Sequence, residues 1–242
     1  MPYPIHRFQQ LANLTPAEES ALLGLGDSEQ EHQRHEVIQR EGQPASGFFL
    51  LVNGWAISSI DLVNGRRAIQ KLHLPGDMMG TPNMALGTTA YRLTAVTKLV
   101  TSFVPFKQIG ELFYKHPRLV ALFMVALQME QVALMDTLAV VGNATSKERL
   151  SRLLLDIHDR LTPLGAVDKN AFHLPTTQEI MSDMLGMTSV HLNRTLRELD
   201  REGLIERWNH MIRLNDLNRL RSIAAMPVRK PGFEPNWLPE PT

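Results

Sequence analysis

The chain contains no cysteine and carries no net charge. Its 242 residues include 25 lysines and arginines and 25 aspartates and glutamates. The lack of cysteine excludes a disulfide framework, a cysteine-ligated iron–sulfur cluster, a thiolate zinc site and a thiol redox switch. A net charge of zero gives no electrostatic support for strong nonspecific binding to nucleic acid.

Signals for export, membrane insertion and enzyme chemistry are also missing. Residues 1–7 lack the apolar core of a signal peptide, and we expect no apolar run long enough to span a bilayer. The sequence therefore predicts a cytoplasmic protein without membrane contact. We find no nucleophile elbow, no phosphate-cradling glycine loop and no paired acids on a recognisable scaffold, which argues against an enzyme.

Residues from about 37 to 104 consist of short apolar runs separated by turn residues. The turn signals are Gly42, Ser46-Gly47, Asn53-Gly54, Asn64-Gly65 and Pro75-Gly76-Asp77. The expected strands are Phe48–Val52, Trp55–Ile57, Ala68–Ile69 and Val96–Val104. This spacing predicts an antiparallel β-barrel or jelly roll, an architecture that can hold a small ligand.

From about Pro117 the pattern changes to that of one long helix, predicted over residues 117–142. Two neighbouring faces are apolar, so the helix needs a partner on each, and we predict that a second copy of the chain covers one of them. The predicted dimer interface consists of Leu119, Leu122, Ala126, Met129, Ala133 and Val140. The neighbouring row contains Val120, Phe123, Leu127, Leu134, Leu138 and Val141. The alternative is a helix buried inside a single domain. Capping residues at 143–146 predict a hinge.

The stretch from Leu174 to Leu214 has the pattern of two short helices followed by a hairpin. Thr176 is expected to cap the first helix and Glu179 to complete a capping box, so that this helix begins near Thr177. Gly186 supplies the left-handed conformation of the turn. These signals predict a helix–turn–helix, a unit by which many proteins enter DNA.

The second helix, capped by Thr188, is the candidate reader of DNA. Its core-facing positions are expected at Val190, Leu192, Leu196 and Leu199. The predicted DNA-binding residues are Thr177, Thr188, Ser189, Val190, His191, Asn193, Arg194 and Arg197. Arginine can bind guanine, and asparagine adenine, through two hydrogen bonds each, and Arg194 is the strongest candidate. Runs 204–208 and 211–214 predict a wing around a turn at 209–210. The alternative is a common packing unit whose arginines are solvated, but cap, turn and wing together favour a DNA-binding unit. The equal numbers of arginines and acids in this segment argue against strong nonspecific binding to DNA.

Barrel, long helix, hinge and winged helix–turn–helix, in this order, resemble the Crp/Fnr family of bacterial transcription regulators from about Phe8 to Ile223. The match is strongest at residues 177–179, 185–199 and 203–205. The resemblance implies an α+β fold with a sensor barrel similar to cyclic-nucleotide-binding domains. The domains are then the sensor at 1–116, the dimerisation helix at 117–142, the DNA-binding domain at 143–225 and an unstructured tail at 226–242.

The resemblance also implies partners and a way of reading DNA. It implies a homodimer that places two recognition helices in successive major grooves of a near-palindromic site, and contact with RNA polymerase. Family members commonly read bases through an Arg or Val, then a Glu, and an Arg four residues after that Glu. The corresponding residues are Ser189, Val190 and Arg194. Val190 thus stands in place of the Glu, whose carboxylate is the natural acceptor for the amino group of cytosine. The replacement predicts a half-site different from those read by the best-known members. His191 or Asn193 could compensate for the missing carboxylate.

The residues that would bind an effector differ from those of the cyclic-nucleotide-responsive members. Those members carry Gly-Glu for the ribose and Arg-Ser or Arg-Thr for the phosphate. Thr81 follows Gly80 in place of the Glu, and Arg92 near the phosphate position is followed by Leu93. The positions that offer hydroxyls to adenine correspond to Leu134 and Met135. The candidate effector pocket therefore consists of Gly80, Thr81, Arg92, Leu134 and Met135. These differences argue against cyclic AMP and leave a small-molecule effector unidentified.

We expect no metal and no cofactor. Haem stays open in principle because His32, His35, His73 or His116 could ligate iron, but scattered histidines are more often surface or hydrogen-bonded residues. The alternatives to a DNA-binding regulator are a ligand-binding or haem-binding sensor without DNA binding and, least favoured, a metal-dependent barrel enzyme.

Overall fold

The computed structural model describes residues 5–63, 65, 67–141, 144–224, 229 and 232–240. The helices are α1 (Ile5–Gln9), α2 (Pro16–Leu23), α3 (Asn83–Leu86), α4 (Phe106–Lys115), α5 (Pro117–Val141), α6 (Ser146–Leu161), α7 (Gln178–Leu185), α8 (Ser189–Arg201) and α9 (Leu217–Ala224). The strands are β1 (Gln30–His32), β2 (Val37–Gln39), β3 (Gly47–Asn53), β4 (Ala56–Asp61), β5 (Arg67–His73), β6 (Met78–Met79), β7 (Arg92–Ala95), β8 (Leu99–Pro105), β9 (Ala171–His173), β10 (Ile205–Trp208) and β11 (Met211–Leu214). A first unit comprises Met1–Val132 with Lys230–Thr242, and a second unit comprises Ala133–Arg229.

The first unit contains two four-stranded sheets, ordered β1-β8-β3-β6 and β2-β7-β4-β5, in which every pairing is antiparallel. Leu51, Leu93 and Leu99 are buried together in one apolar cluster of this unit. Gly54 has a φ of +84°, and a Cβ atom there would lie 2.6 Å from the carbonyl oxygen of Lys98, so the turn before β4 requires glycine. The predicted antiparallel architecture is confirmed. Asn64, of the turn predicted at 64–65, lies outside the described residues.

The amino-terminal half of α5 packs against the first unit's own core. Leu119, Leu122 and Ala126 are at most 2% exposed, in a cluster that includes Phe8 and Ile109. These three residues are therefore not available to a partner, which corrects half of the predicted dimer interface. The remaining members are Met129, which is half-buried, Ala133, which is exposed, and Val140, whose side chain lies outside the description.

A different row of α5 is left exposed. Its large apolar side chains, between 38% and 74% exposed, are Met124, Leu127, Leu134, Met135 and Leu138. Consecutive members are three, seven, one and three residues apart. With about 3.6 residues per turn, all five lie within about 100° of one side of the helix, as in the seam of a coiled coil. We call these five residues the α5 seam. The sequence indicated two apolar rows, but the first three residues of the row predicted to face a partner lie in the core.

Helix α5 also corrects the expectation about membrane spans. Pro117–Ala139 has a mean hydropathy of 1.5, and its length and composition would suffice to cross a membrane. A core helix of a soluble protein meets the same criteria, so one such helix is weak support for a membrane segment. The burial of Leu119 and Leu122 shows that this helix uses apolar side chains for packing within the protein.

The second unit begins with the last residues of α5 and continues with α6. Thr145 caps α6, its hydroxyl accepting from the amide of Glu148 while the Glu148 carboxylate accepts from the amide of Thr145. Asn143, part of the predicted hinge, lies outside the described residues. A three-stranded sheet, ordered β10-β11-β9, completes the unit. Strand β9 was not predicted because three residues are too few to show a period.

The tail was predicted to be an unstructured extension, but residues 232–240 lie against the first unit. The amide of Glu234 donates to the carbonyl oxygen of Leu11 at 2.8 Å. The Glu234 carboxylate accepts from the amide of Asn13 at 3.1 Å, and Leu238 packs on the apolar core. Two hydrogen bonds and one apolar contact thus attach residues 232–240 to the first unit, although the proline content of the tail predicts an unstructured segment.

Candidate nucleic-acid interface

The first helix of the predicted helix–turn–helix is α7, and its cap differs by one residue from the prediction. Thr177, not Thr176, is the cap, with its hydroxyl accepting from the amide of Ile180 at 3.2 Å. Glu179 then lies two residues after the cap and forms no capping box. Gly186 ends α7 with a φ of +59°, as predicted. Arg149 donates to the carbonyl oxygen of Leu185 at 2.7 Å, which satisfies a backbone acceptor at the end of this helix.

Helix α8 begins where the sequence indicated. The hydroxyl of Thr188 accepts from the amide of His191 at 3.2 Å. The buried side chains of α8 are Leu192, Thr195, Leu196 and Leu199. Val190, expected to face the core, is 82% exposed. The reason is geometric: two residues on a helix are about 200° apart, so Val190 and Leu192 point to opposite sides.

The exposed face of α8 gathers most of the predicted DNA-binding residues. Val190, His191, Arg194 and Arg197 are all exposed. Ser189 and Asn193 form hydrogen bonds with residues of α7. The hydroxyl oxygen of Ser189 lies 3.2 Å from that of Ser182, and Nδ2 of Asn193 donates to Oε1 of Gln178 at 2.7 Å. Gln178 was not among the predicted DNA-binding residues. The available signal was an amide at the first position of α7, next to the predicted reading helix.

The charge balance of the second unit is uneven over its surface. Several arginines away from the exposed face of α8 form ion pairs with acids. These pairs are Arg207 with Asp200, Arg213 with Glu206, Arg219 with Glu202 and Arg221 with Asp159. Lys147 forms ion pairs with Glu198 and Glu202, and the hydrogen bond from Lys147 lowers the pKa of Glu202. Arg194 and Arg197 form no ion pair with any residue of the described 144–224. The acids that make the net charge zero therefore do not neutralise the exposed face of α8.

The predicted wing is the β10–β11 hairpin. Asn209 and His210 connect the strands with φ values of 42° and 61°. Two positive φ angles define the tight turn that matches the natural twist of a hairpin. The guanidinium of Arg213 lies 5.0 Å from the ring centre of Trp208. Hairpin and α8 together give a winged helix–turn–helix.

Gly80, one of the candidate effector residues, lies among polar groups that bond to neighbouring residues. The amide of Gly80 donates to the phenol oxygen of Tyr91 at 2.8 Å, and Nδ2 of Asn83 donates to Oε1 of Gln39 at 3.0 Å. Burial raises the pKa of Tyr91 to about 12, which keeps this phenol neutral. The polar groups around Gly80 thus satisfy each other.

Thr81 and Arg92 do not form an anion site either. Thr81 lines an apolar groove of about 220 Å³ together with Met84, Phe123 and others. Nη2 of Arg92 donates to Oδ2 of Asp61 at 2.5 Å, so this guanidinium already has an acidic partner. Leu134 and Met135 belong to the second unit and are 53% and 61% exposed as part of the α5 seam.

An ion cluster that the sequence did not reveal ties α5 to the barrel. Glu130 of α5 accepts from Arg7 at 2.7 Å and from Lys71 at 3.1 Å, and Arg7 also donates to Asp77 at 3.0 Å. Burial acts to raise the pKa of Glu130, but Lys71 and Arg7 outweigh it, and the pKa lies below its ordinary value. The only sequence signal was an acid, Glu130, between apolar residues of α5, and the same helix also contains Asp136.

Replacing Glu130 by glutamine is expected to destabilise the first unit at neutral pH by about 1–3 kcal/mol. Because the pKa of Glu130 is lower in the folded protein than its ordinary value of 4.5, its charge stabilises the fold above that pH, and the contribution is lost as the pH falls through the folded pKa. The difference in unfolding free energy between wild type and variant should therefore shrink from about pH 6 to pH 3 in urea titrations. Glu31→Gln, at an exposed ion pair with Lys98, is the control. A Glu130→Gln difference independent of pH would contradict this account.

Two of the candidate haem ligands, His32 and His73, lie next to acidic side chains. His32 uses both ring nitrogens, Nδ1 with Glu36 at 2.8 Å and Nε2 with Thr101 at 3.0 Å. His73 is buried with Nδ1 3.6 Å from Asp77. Among the described residues, no group of three or more His, Asp or Glu side chains could hold a metal ion.

Two antiparallel sheets, a long helix and a winged helix–turn–helix, whose Arg194 and Arg197 form no ion pair within the described 144–224, define a DNA-binding regulator. Residues 29–116 match the model of the cyclic nucleotide-binding domain, and residues 148–223 match that of the Crp-like helix-turn-helix domain. The chain is 31% identical over 180 residues to the transcriptional activator protein FnrL of Cereibacter sphaeroides, covering 72% of this chain and 71% of that protein. The chain belongs to the Crp/Fnr family of transcription regulators, and it is not an enzyme.

Further comparisons agree with this assignment. The transcriptional activatory protein AadR of Rhodopseudomonas palustris is 28% identical over 212 residues, covering 84% of this chain and 87% of that protein. The structure of FixK2 from Bradyrhizobium japonicum superposes with a TM-score of 0.74 at 23% identity, covering 83% of this chain and 98% of FixK2. At that identity the superposition establishes the fold. The predicted fold class and the predicted DNA-binding function are confirmed.

Proposed function

We propose that the chain acts in the cytoplasm as a homodimer that binds a near-palindromic DNA site through two copies of α8 and contacts RNA polymerase. The observation that carries this proposal is the pair of unpaired guanidiniums, Arg194 and Arg197, on the exposed face of a capped helix. Free cations on a helix of major-groove size can bind guanine edges and phosphates without first breaking an ion pair. FnrL and AadR are named as activators, and this favours activation.

The dimer is proposed from the α5 seam. Five large apolar side chains lie exposed along one side of α5. An amphipathic helix with an uncovered apolar row needs a partner, and a second copy presents the same row in a two-fold arrangement. A dimer also supplies the two recognition helices that successive major grooves require.

We also propose that neither cyclic AMP nor haem acts on this protein. The groups around Gly80 are satisfied internally, Arg92 is paired with Asp61, and both nitrogens of His32 are engaged. A rise in melting temperature on addition of cyclic AMP, or a Soret absorption band in the purified protein, would overturn these two statements.

The central test is Arg194→Ala. If Arg194 contacts a base, specific binding should weaken by about 1–3 kcal/mol, while binding to a scrambled site changes much less. Fluorescence anisotropy with DNA from upstream of the protein's own gene, beside a scrambled duplex, measures both. Arg219→Ala removes an arginine that is already paired with Glu202 and is the matched control. Unchanged discrimination in Arg194→Ala would count against the proposed reading face.

A further inference from the structure

The hydrogen bond between Gln178 and Asn193 couples the orientations of two amides on the reading face. Asn193 is half-buried on α8, and Nδ2 donates to Oε1 of Gln178 at 2.7 Å. Exchanging the oxygen and nitrogen of Asn193 alone would place two carbonyl oxygens against each other and lose this bond, so the orientation of Asn193 follows that of Gln178. With Gln178 as the acceptor, Oδ1 of Asn193 lies on the side away from Gln178, and one of the two Nδ2 protons remains available.

That orientation suits one base. An asparagine amide binds adenine by accepting from the N6 amino group through Oδ1 and donating to N7 through Nδ2. The proton of Nδ2 that Gln178 does not use is sufficient for N7. Guanine presents an O6 acceptor where adenine presents its amino group, so a held Oδ1 would meet another acceptor. Gln178 thus makes Asn193 selective for adenine over guanine.

Val190 adds a second preference on the same face. It lies three residues before Asn193 and four before Arg194, and it is 82% exposed. Residues at these spacings are neighbours on a helix. Two exposed methyl groups form no hydrogen bond with a base edge, but they can pack against the C5-methyl group of thymine. Cytosine lacks that methyl group, and its amino group donates a hydrogen bond that the side chain of Val190 is unable to accept.

We propose that Val190 and Asn193 read neighbouring A·T pairs in each half-site, Val190 through a thymine methyl and Asn193 through adenine, with Gln178 as the residue that positions Asn193. This inference rests on the proposed DNA-binding function and specifies which bases the site contains. Arg194, four residues after Val190, keeps its role at a guanine.

The first test is a change of base preference. Sites selected from randomised duplex DNA by the full-length wild type define the half-site, and competition with single-base variants measures each position. Wild type should prefer thymine over cytosine at the Val190 position by about tenfold. Val190→Glu supplies a carboxylate acceptor and should reverse this preference toward cytosine. Because Val190 is exposed, the variant should keep the wild-type melting temperature.

The second test separates positioning from contact. Gln178→Ala removes the acceptor and should reduce the adenine-over-guanine preference at the Asn193 position several-fold, without altering the preference at the Val190 position. Gln178→Glu keeps an acceptor for Nδ2 of Asn193 and should retain the adenine preference, although its negative charge weakens binding to every sequence. A general loss of protein stability would instead change the base preferences at the Asn193 and Val190 positions to the same extent.

The outcomes distinguish the two levels of the proposal. A wild-type protein that selects no DNA sequence overturns the proposed function and this inference with it. A wild type that selects a defined half-site, together with base preferences that do not respond to Val190→Glu and Gln178→Ala, overturns this inference alone.

Discussion

Arg118→Met is expected to lower the free energy of unfolding of the first unit by about 3–5 kcal/mol. Arg118 and Glu18 are each 4% exposed, and Nη1 of Arg118 donates to both carboxylate oxygens of Glu18, at 3.1 and 2.9 Å. The same nitrogen donates to the carbonyl oxygen of Asn13 at 3.1 Å. Methionine fills a similar volume but leaves a buried carboxylate without its cation, and the desolvation of an unpaired charge is the dominant loss.

The carboxylate cannot simply move into water, because it has a second role. Glu18 also accepts from the amide of Thr15 at 2.8 Å and so completes the capping box of α2. Urea denaturation followed by circular dichroism measures the loss, and hydrogen exchange of peptides from residues 5–23 assigns it to the first unit.

The double variant Glu18→Gln with Arg118→Met is the control. It removes the cation and the charge of its partner together, so it should be less destabilised than the sum of the two single variants. A single Arg118→Met variant that loses less than about 1 kcal/mol would show that water or a neighbouring group compensates the carboxylate.

The parts of the fold that sequence predicted well depend on local signals. Thr188 and Gly186 act within a few residues of their own positions, through a cap and a left-handed turn, and both were located correctly. The cap of α7 was placed one residue early because Thr176 and Thr177 are both able to cap. The observed register is the one that buries Ile180 and Leu185.

The parts that sequence missed depend on contacts between distant residues. Arg7 and Glu130 are 123 residues apart, and the amides of Gln178 and Asn193 meet across a turn of the chain. Periodicity shows that α5 has two apolar rows but contains no information on which row faces the barrel. The row that faces the core is determined by packing around Phe8, a residue outside α5, so the sequence of α5 alone does not predict it.

The α5 seam leads to the largest expected effect on function. The double variant Leu134→Glu with Leu138→Glu is expected to run at half the wild-type mass in size-exclusion chromatography with light scattering. The two leucines are 53% and 74% exposed in the single chain, so glutamate is tolerated there by the protomer. In a two-fold dimer, however, four carboxylates would lie in one interface, where burial and like-charge repulsion both oppose association.

Specific DNA binding should fail along with the dimer. Two linked recognition helices bind a near-palindromic site more tightly than one by about 10²–10⁴, because the second contact is intramolecular, and a monomer loses this factor. Tyr114→Glu, at an 89% exposed residue near the end of α4, adds the same charge off the seam and is the matched control. Full dimer mass in the seam variant would place the interface elsewhere, and a half-mass variant with undiminished DNA affinity would show that one protomer is sufficient for binding.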